Sequence, residues 1–383
     1  MKLRLLQKKV KVFLKKFRAS FFRLLDSVIY LRKTSNHCCN IAIIRLDNIG
    51  DSILFIPYLQ QILNKYQEQK IVLYVNEKVE DLYLNISPDI KVERLCVKKF
   101  IRNPIYRLKK IYSFSDMRAN KVICPVKKIR AGFEDSIIKS LKPQEVYLMS
   151  SDNLPSFQSE IKLNIIDIHE FSHESLAYNK LLEILNFDGD YLVPDFQFFE
   201  NFANCSSIKR EDFICISIGA GRHSRKWPES SFEELINLVI SRLDKDIVLI
   251  GDSSDIDGAE NLMKKAVDNK RVLNLCNQTS LRDLFSIISA AKALVANESM
   301  AAHLASHLKT PTVCIIGGGH YGRFAPYPRL HAMSKYMNTI SDEMNCYFCN
   351  WNCLYHNSIS QETFPCIQTI KVSKVFSELK KII

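Results

Sequence analysis

Short apolar runs rich in β-branched residues, each followed by a turn of small or polar residues, are the feature that most constrains the fold of this chain. The first run, residues 40–45, leads into the turn 47–52, and an apolar pattern at helical spacing then extends from Ile53 to Leu63. Runs of this length are typical of buried parallel strands, which need a helix between them. The pattern therefore predicts an α/β fold with parallel sheets.

The strand signal recurs in both halves of the chain. It covers residues 41–45, 71–75 and 121–124, and then residues 213–218, 247–250, 293–296 and 312–316. Because one hydrophobic core serves at most ~250–300 residues, we expect two domains. The predicted organisation is an N-terminal helix over 1–37, α/β domains over 38–195 and 205–340, and a Cys-rich segment with a C-terminal helix crossing back over 341–383. The two sheets are expected to meet a cleft at the carboxyl ends of their strands.

Small and polar residues follow each strand run of the second half. The four turns are Gly219-Ala220-Gly221, Gly251-Asp252-Ser253, Asn297-Glu298-Ser299 and Gly317-Gly318-Gly319. Glycine lets the backbone approach a phosphate closely, and the N-terminus of the next helix favours its charge. Together the turns predict a phosphate-binding edge, although any one of them is also common in loops without a ligand.

Three cations follow the first of these turns. Arg222, Arg225 and Lys226 precede Trp227-Pro228, which we interpret as an anchor at the start of the next helix. Arginine and lysine suit a departing diphosphate because they neutralise its growing charge. The alternative is an ordinary solvated loop.

The N-terminal 33 residues hold eleven of the Lys and Arg residues that give the chain a net charge of +12, and only one acid, Asp26. The basic residues alternate with Leu and Phe at helical spacing, which predicts an amphipathic helix on an anionic membrane surface. A solvated or core-capping helix is the alternative. We find neither a transmembrane run nor the pattern of a secretory signal. The basic helix would place a cytoplasmic protein peripherally on the inner face of the cytoplasmic membrane, and we expect that location.

Four of the twelve cysteines are clustered, at Cys346, Cys349, Cys353 and Cys366. Their spacing is close to that of a tetrahedral thiolate site and suggests a structural zinc ion. Disulfides and unligated reduced thiols remain open alternatives; the other eight cysteines are expected to be reduced thiols. No Asp-x-Asp pair lies in the glycine turns, so no catalytic metal is expected.

Three segments together resemble glycosyltransferase family 9, the bacterial heptosyltransferases and their relatives. They are Gly50-Asp51 after the first strand, Arg225 two positions before Trp227-Pro228, and Glu298-Ser299-Met300-Ala301-Ala302-His303-Leu304 followed by Lys309-Thr310-Pro311. The similarity extends over about residues 40–330. It implies the GT-B fold, in which two Rossmann-like domains with parallel sheets face each other across a cleft.

The resemblance implies a role for each matching residue. Asp51 corresponds to the general base that deprotonates the acceptor hydroxyl. Arg225, with Lys226, corresponds to the diphosphate-binding cation, although the family usually has lysine there. The remaining implied donor-binding residues are Gly219, Ala220, Gly221, Asp255, Thr279, Glu298, Ser299, Met300 and His303.

Two of these positions depart from the family pattern: Glu298 replaces an aspartate, and Met300 replaces a glycine and would reshape the donor-sugar pocket. Three residues also have purely structural interpretations. Asp51 and Ser299 are both good helix caps, and His303 would serve as an internally bonded histidine on a helix face.

The resemblance implies an inverting transfer of a sugar, first of all heptose from ADP-heptose, to a hydroxyl of a lipid-linked or oligosaccharide acceptor such as lipopolysaccharide. The main alternative is a catalytically degenerate, nucleotide-binding scaffold in a glycan-assembly complex. An epimerase or phosphorylase on the same fold is a second alternative. Nucleic acid is not expected as a partner, because the basic residues lie in the N-terminal helix and not around aromatic base-stacking positions.

Overall fold

The structure is a computed structural model. It describes residues 20–22, 24–27, 38–84, 86, 90–127, 129–130, 132–149, 161–166, 172–187, 211–355 and 362–383. The chain divides into two compact units. The first contains residues 1–52, 58–168 and 177–188, and the second contains 53–57, 169–176 and 189–383.

The first unit is built on a six-stranded parallel sheet in the order β3-β2-β1-β4-β5-β6. Its strands are β1 Cys38–Arg45, β2 Ile71–Asn76, β3 Lys91–Leu95, β4 Arg118–Cys124, β5 Glu145–Met149 and β6 Lys162–Ile166. The helices that begin in this half of the chain are α1 Ile49–Lys65, α2 Glu80–Leu84, α3 Val97–Arg102, α4 Pro104–Asp116, α5 Glu134–Ser140 and α6 Glu174–Ile184. The central strands β1 and β2 are almost wholly buried, as a sheet covered on both faces requires.

The second unit repeats the same sheet, in the order β12-β11-β10-β7-β8-β9. Its strands are β7 Phe213–Ser217, β8 Asp246–Ile250, β9 Val272–Asn274, β10 Ala293–Asn297, β11 Thr312–Ile315 and β12 Met337–Ile340. Its helices are α7 Glu229–Leu238, α8 Ile256–Lys265, α9 Leu281–Ala290, α10 Met300–His307, α11 Pro365–Gln368 and α12 Val372–Ile382. Within each sheet the chain order corresponds to 3-2-1-4-5-6, the Rossmann arrangement.

These two sheets confirm the predicted α/β class and its tandem Rossmann-like organisation. All seven predicted strand runs form strands, and five further strands, β3, β5, β6, β9 and β12, were missed. Trp227 is buried and α7 begins at Glu229, as the anchor interpretation predicted. The predicted domain boundaries remain predictions, since the linker around residues 195–205 lies outside the described residues.

Most of the predicted N-terminal amphipathic helix also lies outside the described residues. Residues 20–22 and 24–27 are helical. There Phe21 and Leu24 are exposed, whereas Asp26 is fully buried against Arg107. Within the described ranges, no helix is both long and apolar enough to cross a membrane.

The C-terminal helix α12 packs onto the second unit. Val375 and Leu379 are fully buried in its core, and the helix contacts α7 and β11. The predicted crossing of residues 341–383 back to the first domain stays a prediction, because the packing described for α12 lies within the second unit.

Candidate active site

The sheet order places the predicted site residues at one particular point of each sheet. In a Rossmann sheet the strand order reverses between the first and fourth strands, and ligands bind in the crevice beyond their carboxyl ends. In the first unit that point lies between β1 and β4, and in the second between β7 and β10. Asp51 follows β1, while the 219–226 loop and Glu298 follow β7 and β10.

Arg45 organises the turn that carries Asp51. Its buried guanidinium donates to the backbone oxygen of Asp51 over 2.7 Å and to the backbone oxygen of Pro125, beyond β4. It also donates to Tyr178 Oη over 2.7 Å and lies 3.3 Å from the Asp47 carboxylate. Asp51 itself is half-buried in the first turn of α1, where the helix dipole favours a carboxylate. The cap position of α1 is Asn48, so Asp51 is not the helix cap.

Asn297 performs the corresponding task in the second unit. Its side chain donates to the backbone oxygens of Ile218 (3.0 Å) and Gly219 (3.2 Å) and accepts from the backbone N–H of Trp227 over 2.9 Å. The end of β10 is thereby tied to both ends of the 219–226 loop. The sequence analysis identified Asn297 only as part of a turn, because its hydrogen-bond partners lie 70 or more positions away in the chain.

Directly after Asn297, several buried polar atoms lack partners. Both carboxylate oxygens of Glu298, Ser299 Oγ and Arg225 Nε are buried, and none has a hydrogen-bond partner among the described residues. Ser299 occupies the cap position of α10 but makes no side-chain cap bond. Buried polar groups are normally paired, so a cluster of unpaired ones at a helix N-terminus indicates a place prepared for a polar ligand.

Burial also shifts the pKa values of the charged groups in this cluster. Burial raises the pKa of Glu298 to about 7, against the pull of Arg225 and Arg323. Burial also lowers the pKa of Arg225 to about 10, although Glu298 opposes that shift. Arg323 was missed by the sequence analysis; Glu174 holds it through a 2.8 Å bond to Nε, and Glu174 N–H donates back to Arg323 O. A carboxyl group and two guanidinium groups thus share one electrostatic environment.

Residues 171–351, which contain all of this second cluster, match the model of glycosyltransferase family 9 (heptosyltransferase). The chain is a glycosyltransferase, and just under half of it matches the family 9 model. It is 21% identical over 343 residues to lipooligosaccharide heptosyltransferase 2 of Campylobacter jejuni, covering 87% of this chain and 96% of that protein.

Two solved structures have the same fold as this glycosyltransferase. E. coli heptosyltransferase WaaC, solved with ADP, matches with a TM-score of 0.66 at 14% identity, over 90% of this chain and all of that one. The dodecameric iron-containing heptosyltransferase TibC, in complex with ADP-D-β-D-heptose, matches with a TM-score of 0.53 at 12% identity, over 92% of this chain and 77% of that one. The fold is therefore GT-B, as the resemblance implied.

Lys226 and Asp255 are paired with each other in this glycosyltransferase. Lys226 Nζ binds Asp255 Oδ1, and Asp255 Oδ2 accepts from the backbone N–H of Asp252 over 3.0 Å. A Cβ added at Gly219 or Gly251 would lie within 2.6 Å of Asp255 Oδ2. These two glycines therefore make room for an internal carboxylate, where the sequence analysis expected a phosphate.

The remaining predicted donor residues differ in how open they are. Gly221 is exposed, and a Cβ there would meet nothing within 4 Å, so its backbone can be approached. Ala220, within the 219–226 loop, and Met300, at the start of α10, are both half-buried. Thr279 is half-buried directly before Ser280, the cap of α9.

His303 is buried, and its Nδ1 lies 3.0 Å from Tyr327 Oη. Burial lowers its pKa to about 3, so it is neutral near pH 7 and adds no positive charge for a diphosphate. His307 and His331 are buried nearby with pKa values lowered to about 4 and about 3, again mainly by burial. The contacts of His303 agree with the interpretation of an internally hydrogen-bonded histidine on a helix face. Its predicted contact with the donor, which an uncharged ring would make, stays a prediction.

The Gly317-Gly318-Gly319 turn is covered by protein. Added Cβ atoms would lie 2.8 Å from Ile367 at Gly317, 2.2 Å from Tyr347 at Gly318 and 2.2 Å from Trp351 at Gly319. The backbone N–H groups of Phe348 and Asn350 donate to the oxygens of Gly318 and Gly319. The expectation of a phosphate cradle at this turn was wrong: the missing side chains accommodate the Cys-rich segment.

Cys346, Cys349, Cys353 and Cys366 line one cavity of about 10 Å³ and are all unpaired thiols. Burial raises the pKa of Cys349 and of Cys366, and the neighbouring thiols add to both shifts. Across the residues that the structure describes, no group of three His, Cys, Asp or Glu side chains is already arranged to hold a metal ion. The four cysteines form no disulfide, so that alternative is not supported. The zinc site stays a prediction.

Proposed function

We propose that this glycosyltransferase belongs to family 9 and transfers heptose from ADP-heptose to a hydroxyl of a lipopolysaccharide or lipooligosaccharide acceptor, with inversion at the anomeric carbon. The observation that carries the proposal is the unpartnered cluster of Glu298, Ser299 and Arg225 at the N-terminus of α10. Two relatives support the donor, because one was solved with ADP and another with ADP-D-β-D-heptose. The C. jejuni relative supports the acceptor class.

The donor's diphosphate would occupy the cluster. Arg225, Ser299 Oγ and the N–H groups at the start of α10 can take up its negative charge, which grows as the bond to the sugar breaks. Lys226 is already paired with Asp255, so we assign it mainly to bracing the loop. Glu298, with its buried carboxyl group, can accept hydrogen bonds from sugar hydroxyls, and Met300 would limit the space beside them.

The reaction is a single displacement. The acceptor oxygen forms a bond to the anomeric carbon, the bond from that carbon to the diphosphate oxygen breaks, and ADP leaves with the bonding electrons. Asp51 takes the proton of the acceptor hydroxyl as general base, a role typically worth about 10²- to 10⁴-fold in rate. Arg45 holds the Asp51 turn through the backbone, so it acts as a positioning residue.

A transfer assay tests this proposal. Purified protein is incubated with ADP-heptose and a heptose-deficient lipooligosaccharide, and the product is identified by mass spectrometry and its anomeric configuration by NMR. We expect an inverted heptosyl product, and a kcat at least about 100-fold lower for Asp51→Asn with little change in donor affinity. Donor binding without transfer to any acceptor would favour the scaffold alternative.

We also propose that the four clustered cysteines hold one structural metal ion. Four thiol groups around a cavity of about one water volume form a donor set suited to zinc or iron. Zinc is our prediction from the sequence, and the iron-containing relative makes iron the alternative. Elemental analysis of the purified protein should find one metal ion per chain, and the Cys349→Ser variant should lose it. The control variant Cys314→Ser, altered at a buried cysteine of β11, should retain the metal ion.

We further propose that the basic N-terminal segment attaches the enzyme to the inner face of the cytoplasmic membrane. The exposed Phe21 and Leu24 supply apolar area beside the positive charges. Co-sedimentation with vesicles of 30% anionic lipid should capture the wild-type chain and much less of the Phe21→Ser/Leu24→Ser variant. Equal capture by neutral vesicles would contradict the electrostatic part of the proposal.

A further inference from the structure

Trp351 of the Cys-rich segment contacts Arg225, one of the residues with unpartnered buried atoms. The guanidinium carbon of Arg225 lies over the Trp351 ring, 4.2 Å from its centroid. Trp351 is only 8% exposed and also lines the cavity of the four cysteines. A cation over a desolvated indole face is attracted by the ring quadrupole and held in one orientation.

Three observations show that the position of Trp351 is built into the fold. The ring lies against Gly319, where any side chain would clash with it at 2.2 Å. It stacks on Phe364, with ring centroids 5.4 Å apart and planes 24° apart. Phe348, Asn350 and Trp351 all have positive φ values, of 64°, 49° and 60°, a backbone conformation that persists only where the surroundings impose it.

The backbone around Arg225 is fixed by the chain on the other side of the same segment. Phe364 N–H donates to Ser224 O over 2.8 Å, and Thr363 Oγ1 donates to Lys226 O over 2.9 Å. The residues on both sides of Arg225 are therefore held by the residues just before Cys366. The Cys-rich segment therefore contacts both the guanidinium of Arg225 and the backbone on either side of it.

The surroundings of Trp351 indicate that the ring interacts through its aromatic face and not through a hydrogen bond from its N–H group. The indole Nε1 is buried with no hydrogen-bond acceptor in the described part of the chain. Leaving a buried donor unpaired costs free energy, so a hydrogen bond is not what holds the ring here. The face remains, and Arg225 occupies it.

We propose that Trp351 is a positioning residue for Arg225: the Cys-rich segment presents its aromatic face so that the guanidinium is oriented for the donor diphosphate before the donor arrives. The inference rests on the proposed function, in which Arg225 binds that diphosphate. It assigns the Cys-rich segment a part in donor binding, through a side chain that ligates nothing.

The test is isothermal titration of ADP into the full-length protein as purified, with melting temperatures measured in parallel. We expect Trp351→Leu to weaken ADP binding about tenfold, the size of a desolvated cation–π contact. Trp351→Phe should recover part of that loss because it keeps a ring face. In the double variant Arg225→Met/Trp351→Leu, binding should be no weaker than in Arg225→Met alone, because the ring acts only through Arg225.

Tyr347→Leu is the matched control. Tyr347 covers Gly318 as Trp351 covers Gly319, so its loss should lower the melting temperature while ADP affinity stays within about twofold. Unchanged affinity in Trp351→Leu, additive losses in the double variant, or an equal loss in Tyr347→Leu would each overturn the inference. A wild-type chain that does not bind ADP, or an Arg225→Met variant that binds it normally, would instead contradict the proposed function, and the inference with it.

Discussion

At the scale of single residues, the candidate site is defined by groups that the fold leaves unsatisfied. Arg45 and Asn297 are buried, and the hydrogen bonds of each connect the end of a strand to a loop. Glu298 and Ser299, next to Asn297, are buried without partners. A protein tolerates that loss of stability where function requires it, since unsatisfied groups become binding groups when the ligand arrives.

Glu298→Gln should separate stability from function. An amide needs less solvation than a carboxyl group that is partly ionised at neutral pH, so we expect the free protein to gain about 1 kcal/mol in unfolding free energy. The same variant should lose most of the thermal stabilisation that ADP-heptose gives the wild type. Differential scanning fluorimetry with and without donor measures both effects. A less stable variant that keeps its donor response would show that Glu298 is structural.

Two glycines that look alike in the sequence should behave in opposite ways. Gly319→Ala places a methyl group against Trp351 and should reduce the unfolding free energy by about 1–3 kcal/mol. Gly221→Ala meets open space and should change stability by less than about 0.5 kcal/mol. It should nevertheless weaken ADP binding, because the sequence analysis predicts that the donor approaches the Gly221 backbone. Denaturant unfolding and ADP titration distinguish the two, and a stable Gly319→Ala would contradict the packing described for this turn.

At the scale of elements, four of the five strands that the sequence analysis missed are the edge strands of the two sheets, β3, β6, β9 and β12. The central strands β1, β7 and β10 have uninterrupted apolar runs because both faces of the sheet are covered. Edge strands such as β3 and β6 are partly exposed and carry Lys, Glu and Asn, so their composition resembles that of a loop. Edge position depends on strand order, which no local pattern contains.

The candidate site divides in the same way. Asp51, Arg225, Glu298 and Ser299 were predicted because local motifs carry them. Arg323, Glu174 and Trp351 were not, since each acquires its role from a residue far away in the chain, as in the Arg323 to Glu174 bond across 149 positions. The glycine turns were predicted as a group, but only Gly221 is open; what fills the space beside Gly219 or Gly319 is a tertiary property.

The described end of the N-terminal helix is joined to the first unit by a buried ion pair. Asp26 accepts two bonds from Arg107, which also donates to Gly132 O and Ser136 Oγ over 2.9 Å each. Asp26→Asn would leave a fully buried guanidinium without its counter-charge, so we expect a loss of about 3–5 kcal/mol in unfolding free energy. Glu260→Gln, altering an exposed pair at 3.7 Å, is the control and should cost less than about 0.5 kcal/mol. Similar losses in both variants would contradict this account.

At the scale of the whole molecule, the two sheets share one strand order although the sequence shows no residue-level repeat. The candidate residues of each unit lie at the corresponding point, beyond the first and fourth strands. The shared topology therefore accounts for the location of both clusters, while the side chains differ: one unit presents a carboxylate, the other a cationic and helix-terminal site.

The buried histidines should make the second unit sensitive to acid. His303, His307 and His331 have folded-state pKa values lowered to about 3 to 4, so the unfolded chain binds more protons between pH 4 and 6.5. The free energy of unfolding that these neutral histidines contribute is complete above pH 6.5. It is lost as the pH falls, at about 1.4 kcal/mol per histidine per pH unit. Glu298 has a raised pKa and binds a proton more readily in the folded state, so it offsets the effect of about one of the three histidines. Melting temperatures should fall steeply from pH 6.5 to 4.5, less so in His331→Gln, and a flat profile would contradict the assignment.

The central claim is that the cluster of Arg225, Glu298 and Ser299 binds the diphosphate of a nucleotide-sugar donor. The most direct measurement is a thermal-shift panel of ADP, UDP, GDP and CMP and their sugars against the wild type, Arg225→Met and Asp51→Asn. We predict stabilisation by ADP and ADP-heptose, lost in Arg225→Met and retained in Asp51→Asn. Stabilisation that survives in Arg225→Met, or none by any nucleotide, would contradict the claim.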